Sequence, residues 1–332
     1  MITMTEIAKL AGVSQATVSR VLSGNGSVNS QARQKVLQCA KEHDYQPNII
    51  AQSLVGNKTF LLGVVVTDIS NPFFADLVKA IEQEASEQGY SIMLFNTDYD
   101  KAKEEKYLRI LKQYKADGVL LVPITEEEDY VEQLKRYDIP IVSVTLDLKT
   151  IDSVFISHYQ AGRKVAQHML GMGFESFIFA GGEPDQKEMG FKDELEKNEM
   201  DLTNHYMAIR LNAKDEMKHQ LAQRLEEEKD TDGVGIFAFN DMQALKILEI
   251  LRELKKKVPE EVAVAGFDNT FLGKVISPTL TSVAQPIEEM GRLSVERMIE
   301  LISKKQEKCV RYQLETRLIT RESTIKKTRE IT

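Results

Sequence analysis

The chain has two cysteines in 332 residues, Cys39 and Cys309. They are too few and too far apart for a disulfide framework, and both are expected as buried reduced thiols. No CxxC, no HExxH and no His/Cys cluster at metal-ligand spacing occurs, so neither a structural metal nor a cofactor is expected. No window approaches 18 consecutive apolar residues, which excludes a membrane-spanning helix. The opening MITMTEIAKLAGV lacks a charged leader followed by an apolar run, and no signal peptide is expected. There is no GxSxG elbow, no GxxxxGK followed by Ser or Thr, and no GxGxxG opening a helix after the first strand. An enzyme reading therefore lacks its machinery. The five histidines, His158 and His168 among them, read as ordinary partly exposed side chains. The acidic runs at 126–128 and 226–228 and the basic run at 255–257 read as solvated faces and loops.

Positive charge is also scarce, with a net charge of −8, but it is unevenly spread. Residues 1–60 hold six Lys or Arg against three Asp or Glu, leaving −11 on the rest of the chain. A mildly basic head on an acidic body suits contact with nucleic acid at one end only. The length suggests two or three compact units.

The head carries the clearest pattern. In TEIAKLAGVSQATVSRVL, residues 5–22, Ile7, Ala8, Leu10 and Ala11 recur at helical spacing. Gly12 gives the freedom for a sharp turn, and Ser14 sits where an N-cap belongs. Val13, Val18, Val21 and Leu22 can pack inward, leaving Gln15, Ala16, Thr17, Ser19 and Arg20 near the outer face. Such a second helix enters a major groove, where Arg can grip guanine, Gln adenine, and Ala a thymine methyl. A third helix, about 31–43, turns Ala32, Val36, Leu37 and Ala40 inward. The headpiece thus spans 1–46. Residues 47–59 form a linker opened by Pro47, in which NIIAQSLV makes two helical turns from Asn48 to Gly56. A helix that short is marginal alone, so DNA and a partner copy are expected to stabilise it.

From Phe60 short apolar runs rich in β-branched residues alternate with amphipathic helices near 72–88, 101–115, 126–137, 160–171, 187–197, 214–227 and 240–254. About nine strands of this kind predict two doubly wound parallel-sheet lobes. The first lobe is placed at about 60–157 and 286–305, the second at about 158–284 and 306–325. Ligands in such folds bind at the carboxyl ends of strands.

Four strand ends carry chemistry. TDISNPFF offers Asp68, Ser70 and Asn71, with Pro72 suited to a first helical turn. Phe73 and Phe74 either stack on a sugar's C–H face or fill the core. The other three ends bring Asn240 and Asp241, Asp268 and Asn269, and Gln285. Asn240, Asp268 and Gln285 make a polyol-binding set of carboxylate and amides. Asp241 reads better as a helix N-cap, and Asn269 as a cap or a ligand contact.

AxxAGVSxxTVSRVL at the head, with the segments that follow it, closely resembles the DNA-binding headpiece of the lactose-repressor (LacI/GalR) family. The remainder, about Leu61 to Thr320, resembles that family's periplasmic-binding-protein-like sugar-binding core. The resemblance implies a homodimeric cytosolic repressor, ribose-repressor-like, reading a pseudo-palindromic double-stranded DNA operator. It assigns base contacts to Gln15, Ala16 and Arg20, and a minor-groove wedge to Leu54. Thr3, Ser14, Thr17, Ser19 and Asn48 are expected on phosphates. FNDMQAL, GFDNT and SVAQP match the family's sugar contacts, so Asp68, Asn71, Phe73, Phe74, Lys187, Asn240, Asp268 and Gln285 form the expected effector site. In EPDQKEMGF the family's usual Arg is replaced by Lys187, three residues before Gly190, and Ser157 stands where an Asp is usual. Lys187 also suits the catabolite-control type, in which a phosphorylated protein is corepressor. The chain shows no leucine-heptad tail of the kind that makes tetramers, and a dimer is expected.

Overall fold

The computed structural model describes residues 2–22, 28–45, 58–210, 214–228, 233–303 and 308–326. The expected linker helix, with Asn48 and Leu54, lies outside them. The described chain divides into two compact units, 1–61 and 62–332.

The first unit holds three helices, α1 (Met4–Ala11), α2 (Gln15–Leu22) and α3 (Ser30–Glu42). Thr3 caps α1 in a capping box: Glu6 N donates to Thr3 Oγ1 at 3.3 Å, and Thr3 N donates to Glu6 Oε2 at 2.7 Å. Those bonds hold the Glu6 carboxyl below the usual range. Gly12 ends α1 in the left-handed region at φ 66°, where a Cβ is disfavoured. Ser14 then accepts from Thr17 N at 3.2 Å and starts α2. Ile7, Ala8, Ala11, Val18, Val21 and Val36 close a small core. Leu37 and Leu10 depart from the expected inward stripe, being 48% and 56% exposed. Val36 and Ala40 already fill the side of α3 that meets α1 and α2, and Leu37 lies about 100° round the helix from Val36.

The second unit begins with β1 (Leu61–Val66), α4 (Pro72–Glu87), β2 (Ser91–Asn96), α5 (Lys101–Gln113), β3 (Gly118–Leu121), α6 (Glu128–Leu134), β4 (Ile141–Thr145) and β5 (Asp152–Ile156). It continues with α7 (His158–Gly171), β6 (Ser176–Gly181), α8 (Gln186–Lys197), α9 (Leu202–His205), β7 (Tyr206–Arg210), α10 (Lys214–Glu227), β8 (Val234–Ala238), α11 (Asp241–Glu253), β9 (Val262–Asp268), α12 (Leu272–Val275) and β10 (Thr281–Ala284). The last elements are α13 (Ile287–Ile302), β11 (Arg311–Leu314) and β12 (Arg317–Ile319). Two six-stranded sheets result, in the orders β11-β5-β4-β3-β1-β2 and β12-β10-β9-β8-β6-β7. The pairs β1–β3, β3–β4, β4–β5, β5–β11, β6–β7, β6–β8, β8–β9 and β9–β10 are parallel, and β10 with β12 is antiparallel. Central strands such as β6, β8 and β9 are buried throughout because helices cover both faces.

The chain passes between sheets after β5, after β10 and after β11. Helix α13 packs on α4 and on β3, β4 and β5. The segment expected in the second lobe at about 306–325 is divided between the two sheets. Residues 311–314 are expected there but pair in parallel with β5, Arg311 opposite Ser153. The Asp152 carboxylate fixes this, accepting from Val310 N at 2.8 Å and from Arg297 Nε at 2.6 Å. RYQL is too short and too polar to announce itself as a strand. Cys39 is partly buried, whereas Cys309 is exposed, against expectation, because it lies at the solvated start of this edge segment.

Candidate nucleic-acid interface and ligand cleft

On α2, Val18 and Val21 point inward while Gln15, Ala16 and Arg20 are exposed and Thr17 and Ser19 half-buried. The helix therefore offers one turn of base-sized polar groups from its N-terminal end, the geometry that major-groove reading needs. Thr3 and Ser14 are occupied as helix caps, with Ser14 Oγ also 2.9 Å from Thr17 Oγ1. A helix N-terminus favours an anion such as phosphate through its backbone N–H groups, while Thr3 Oγ1 itself donates to Glu6 Oε2 at 2.8 Å.

In the second unit the loop after β1 and the carboxyl ends of β9 and β10 bring three of the expected polar residues, Asn71, Asp268 and Gln285, together. Asp268 ends β9 at φ 99°, a strained backbone for a non-glycine residue. Its Oδ1 accepts from Gln285 Nε2 at 2.8 Å, and its Oδ2 faces Asn71 Nδ2 at 3.4 Å across the two lobes. Burial pushes its carboxyl up to about 7, opposed by Lys187 and helped by Asp241. Gln285 Oε1 is buried and has no hydrogen-bond partner among the described residues.

Lys187 stands at the start of α8, only 7% exposed. Its Nζ donates to Phe239 O at 3.0 Å, lies 3.6 Å from the Phe239 ring centre and 4.5 Å from that of Phe267, and is 3.7 Å from Asp185. Burial lowers its pKa, with Asp185 and Asp268 pulling the other way. His158 stacks on Phe267 at 5.7 Å, and burial and Lys187 hold its imidazole well below the ordinary range. It is thus a neutral member of the cluster, partly exposed as expected. Lys187 is rigidly placed: a Cβ at Gly162 would lie 2.1 Å from Lys187 O, and one at Gly190 1.9 Å from Tyr159 O. Backbone-to-backbone contact of α7 and α8 requires glycine at both positions.

The neighbouring pair divides its work differently from expectation. Asn240, not Asp241, caps α11, accepting from Gln243 N at 2.9 Å. Asp241 is fully buried and accepts from Thr270 N at 2.6 Å, Thr270 Oγ1 at 3.0 Å and Ser282 Oγ at 2.6 Å. Gly266 leaves the room, since a Cβ there would lie 2.3 Å from Asp241 Oδ1. Asn269 caps no helix; its Oδ1 accepts from Arg321 Nη2 at 2.5 Å. Asn71 caps α4 through Phe73 N at 3.1 Å, and Asp68 accepts from Ser70 N at 3.0 Å. Phe73 and Phe74 are both buried and meet edge to face at 5.0 Å. A separate depression of about 460 Å³ beside Gln285, lined by Pro286, Glu289, Gln313 and Arg317, lies at the crossovers and shares only Gln285 with the cluster. Among the described residues no group of His, Cys, Asp and Glu is arranged to hold a metal ion.

Two family models match the chain. "Bacterial regulatory proteins, lacI family" matches residues 3–48, and "Periplasmic binding protein-like domain" matches residues 166–324. The ribose operon repressor of Halalkalibacterium halodurans is 36% identical over 330 residues, covering 98% of this chain and 97% of that protein. The chain belongs to the lacI family. It is a DNA-binding transcriptional regulator and not an enzyme. Catabolite control protein A of Priestia megaterium is 31% identical over 331 residues, covering 97% and 99% of the two chains. Among solved structures, a LacI family regulator from Enterococcus faecium with bound ribose superposes with a TM-score of 0.68 at 26% identity, covering 80% of this chain and 98% of that one.

Sequence reasoning misses Phe239, Phe267 and His158 as neighbours of Lys187, because aromatic residues at strand ends look the same in a core.

Proposed function

We propose that this regulator is a homodimeric repressor of the cytosol whose affinity for a pseudo-palindromic double-stranded operator is switched by a small sugar. The sugar binds between the two lobes, and a ribose-like pentose is the favoured effector. The observation that carries the reading is the meeting of Asp268, Gln285 and Asn71 at the strand ends, with Gln285 Oε1 meeting no donor among the described residues. A ring hydroxyl donating to Gln285 and Asp268 supplies what the cluster lacks. Asp68, Phe73, Phe74, Lys187 and Asn240 complete the proposed contacts. Gln15, Ala16 and Arg20 read bases, with Leu54 as the minor-groove wedge; Thr3, Ser14, Thr17, Ser19 and Asn48 hold phosphates. The dimer is supported by apolar side chains left bare: Leu94 on edge strand β2, Phe271, and Val275 at 74% exposure. No helix among the described residues is long and apolar enough to cross a membrane.

Closure of the lobes on a sugar changes the spacing of the linkers, and coupling of about 1–3 kcal/mol alters operator affinity roughly 5- to 150-fold. A thermal-shift screen against pentoses, hexoses and their phosphates tests the effector. A ligand at about 100 times its Kd stabilises the folded chain by about 2.7 kcal/mol, so a selective rise in Tm with ribose is expected. No shift with any small molecule would favour the second reading, a phosphorylated protein as corepressor, which rests on Lys187 and on the likeness to a catabolite control protein.

A further inference from the structure

We infer that Glu188, Arg210 and Tyr206 form a positioning network that fixes the ammonium of Lys187 in place. That Lys187 meets an effector rests on the reading above; its placement by these three residues does not.

A lysine ammonium sits on a long flexible stem, and that of Lys187 is held at its tip by three different segments. They supply Phe239 O at 3.0 Å, the ring of Phe267 at 4.5 Å and Asp185 at 3.7 Å. These contacts last only while the first turn of α8 keeps its place, because a hydrogen bond stretched by about 1 Å is lost. The segment that leads into α8 does little to hold itself. It reads GGEPD, residues 181–185, and even a Cβ at Gly182 would meet nothing within 4 Å.

What holds it is the next residue. Consecutive side chains on a helix point about 100° apart, so Lys187 meets Phe239 and Phe267 while Glu188 meets β7. The Glu188 side chain is buried and both its oxygens are engaged. Its Oε2 accepts from Arg210 Nη1 at 2.6 Å, and its Oε1 from Arg210 Nη2 at 3.0 Å and from Tyr206 OH at 2.8 Å. Two-point pairing of a planar guanidinium with a carboxylate fixes direction as well as distance. Arg210 Nη1 also donates to Gly182 O at 3.0 Å, so one guanidinium ties both ends of the loop to the end of β7. That strand is itself registered on β6, with Phe177 opposite Tyr206 and Gly181 opposite Arg210. Asp185 completes the loop by capping α8 through Glu188 N at 2.9 Å. The glycine contacts with α7 hold the helix from another side, and Lys187 is bracketed between the two. A buried ion pair adds little stability over an apolar filling of the same volume; what it supplies here is a single position for the loop.

The test reads Lys187 directly. Its Nζ lies 3.6 Å from the Phe239 ring centre, so the ring current should carry its εCH2 proton signal upfield of the other lysines. In the full-length protein with 13C-labelled lysine, K187M identifies that signal by its loss. The double variant Glu188→Met/Arg210→Met removes the pair together and strands neither charge. In it the signal is expected to move back toward the other lysines, and in Tyr206→Phe, which removes one bond, to move the same way by less. A signal that stays in place in folded E188M/R210M would overturn the inference; should that variant not fold, an unmoved signal in Y206F would do so. Calorimetric titration with D-ribose adds a cycle. E188M/R210M is expected to weaken ribose roughly tenfold where Lys187 is present and by less than about twofold in K187M. An equal loss in both backgrounds would mark a general structural effect and overturn the inference. Failure of the wild type to bind ribose would overturn the effector reading, while the lysine signal still decides the placement.

Discussion

The two units handle their functional side chains in opposite ways. The headpiece sets Gln15, Ala16 and Arg20 on the outside of α2, over a core of a few small aliphatic residues. The core unit takes Asp241, Asp268 and Lys187 out of water and holds them with fixed partners. Reading a long polymer needs side chains that protrude and stay hydrated until contact. Discriminating a small molecule needs groups whose hydration is already gone, so that an imperfect ligand leaves them unpaired. Substitutions should accordingly separate function from stability in the headpiece and entangle them in the core.

The widest separation is expected for Q15A/R20A. Each good base contact is worth about 1–3 kcal/mol, so affinity for a duplex selected by the wild-type protein should fall on the order of a hundredfold or more. The Tm should stay put, as the surface positions support no core. Gel-shift titration with a parallel melting curve reads both. Asp241→Ala should do the reverse, stranding buried donors from Thr270 and Ser282. The cost is about 1–3 kcal/mol for the groups left unsatisfied, seen as a lower denaturant midpoint with operator contacts intact.

Asp268→Asn sharpens the comparison because its two effects oppose each other. The folded carboxyl titrates at about 7, well above its ordinary 3.8. The native state therefore binds more protons between those values, and stability is lost as pH rises from about 4 to 7 and is flat above. A neutral amide in its place carries no such penalty. D268N is expected to melt higher at pH 7.5, to show a shallower loss of Tm across that window, and to lose the thermal shift with sugar. Glu104 is a second contributor to the same slope: its pKa is pushed up to about 7 by burial, although Tyr130 OH donates to it at 2.6 Å. The smallest effect is expected at Leu37, where L37Q should change stability by no more than about 0.5 kcal/mol if the residue is as exposed as the helix places it.

Much of this arrangement can be read before folding, and the failures have causes. Gly12 and Ser14 act as local composition says because a turn and a cap are decided by the residues that make them. Leu37 does not, because a 13-residue helix against two short ones has room for only a narrow stripe. The helices of the core unit begin and end close to their expected bounds. β5, β11 and β12 escape notice because they are short and carry charged or polar residues. Asn240 and Asp241 exchange roles because either of two adjacent residues can cap a helix, and only the backbone at the junction chooses.

The most direct test of the central claim is an anisotropy titration of the full-length protein against its selected operator, with and without D-ribose. Tight binding whose midpoint moves roughly 5- to 150-fold with the sugar, at constant salt, is the predicted result. Operator binding that no sugar in the panel shifts would contradict a sugar-switched repressor.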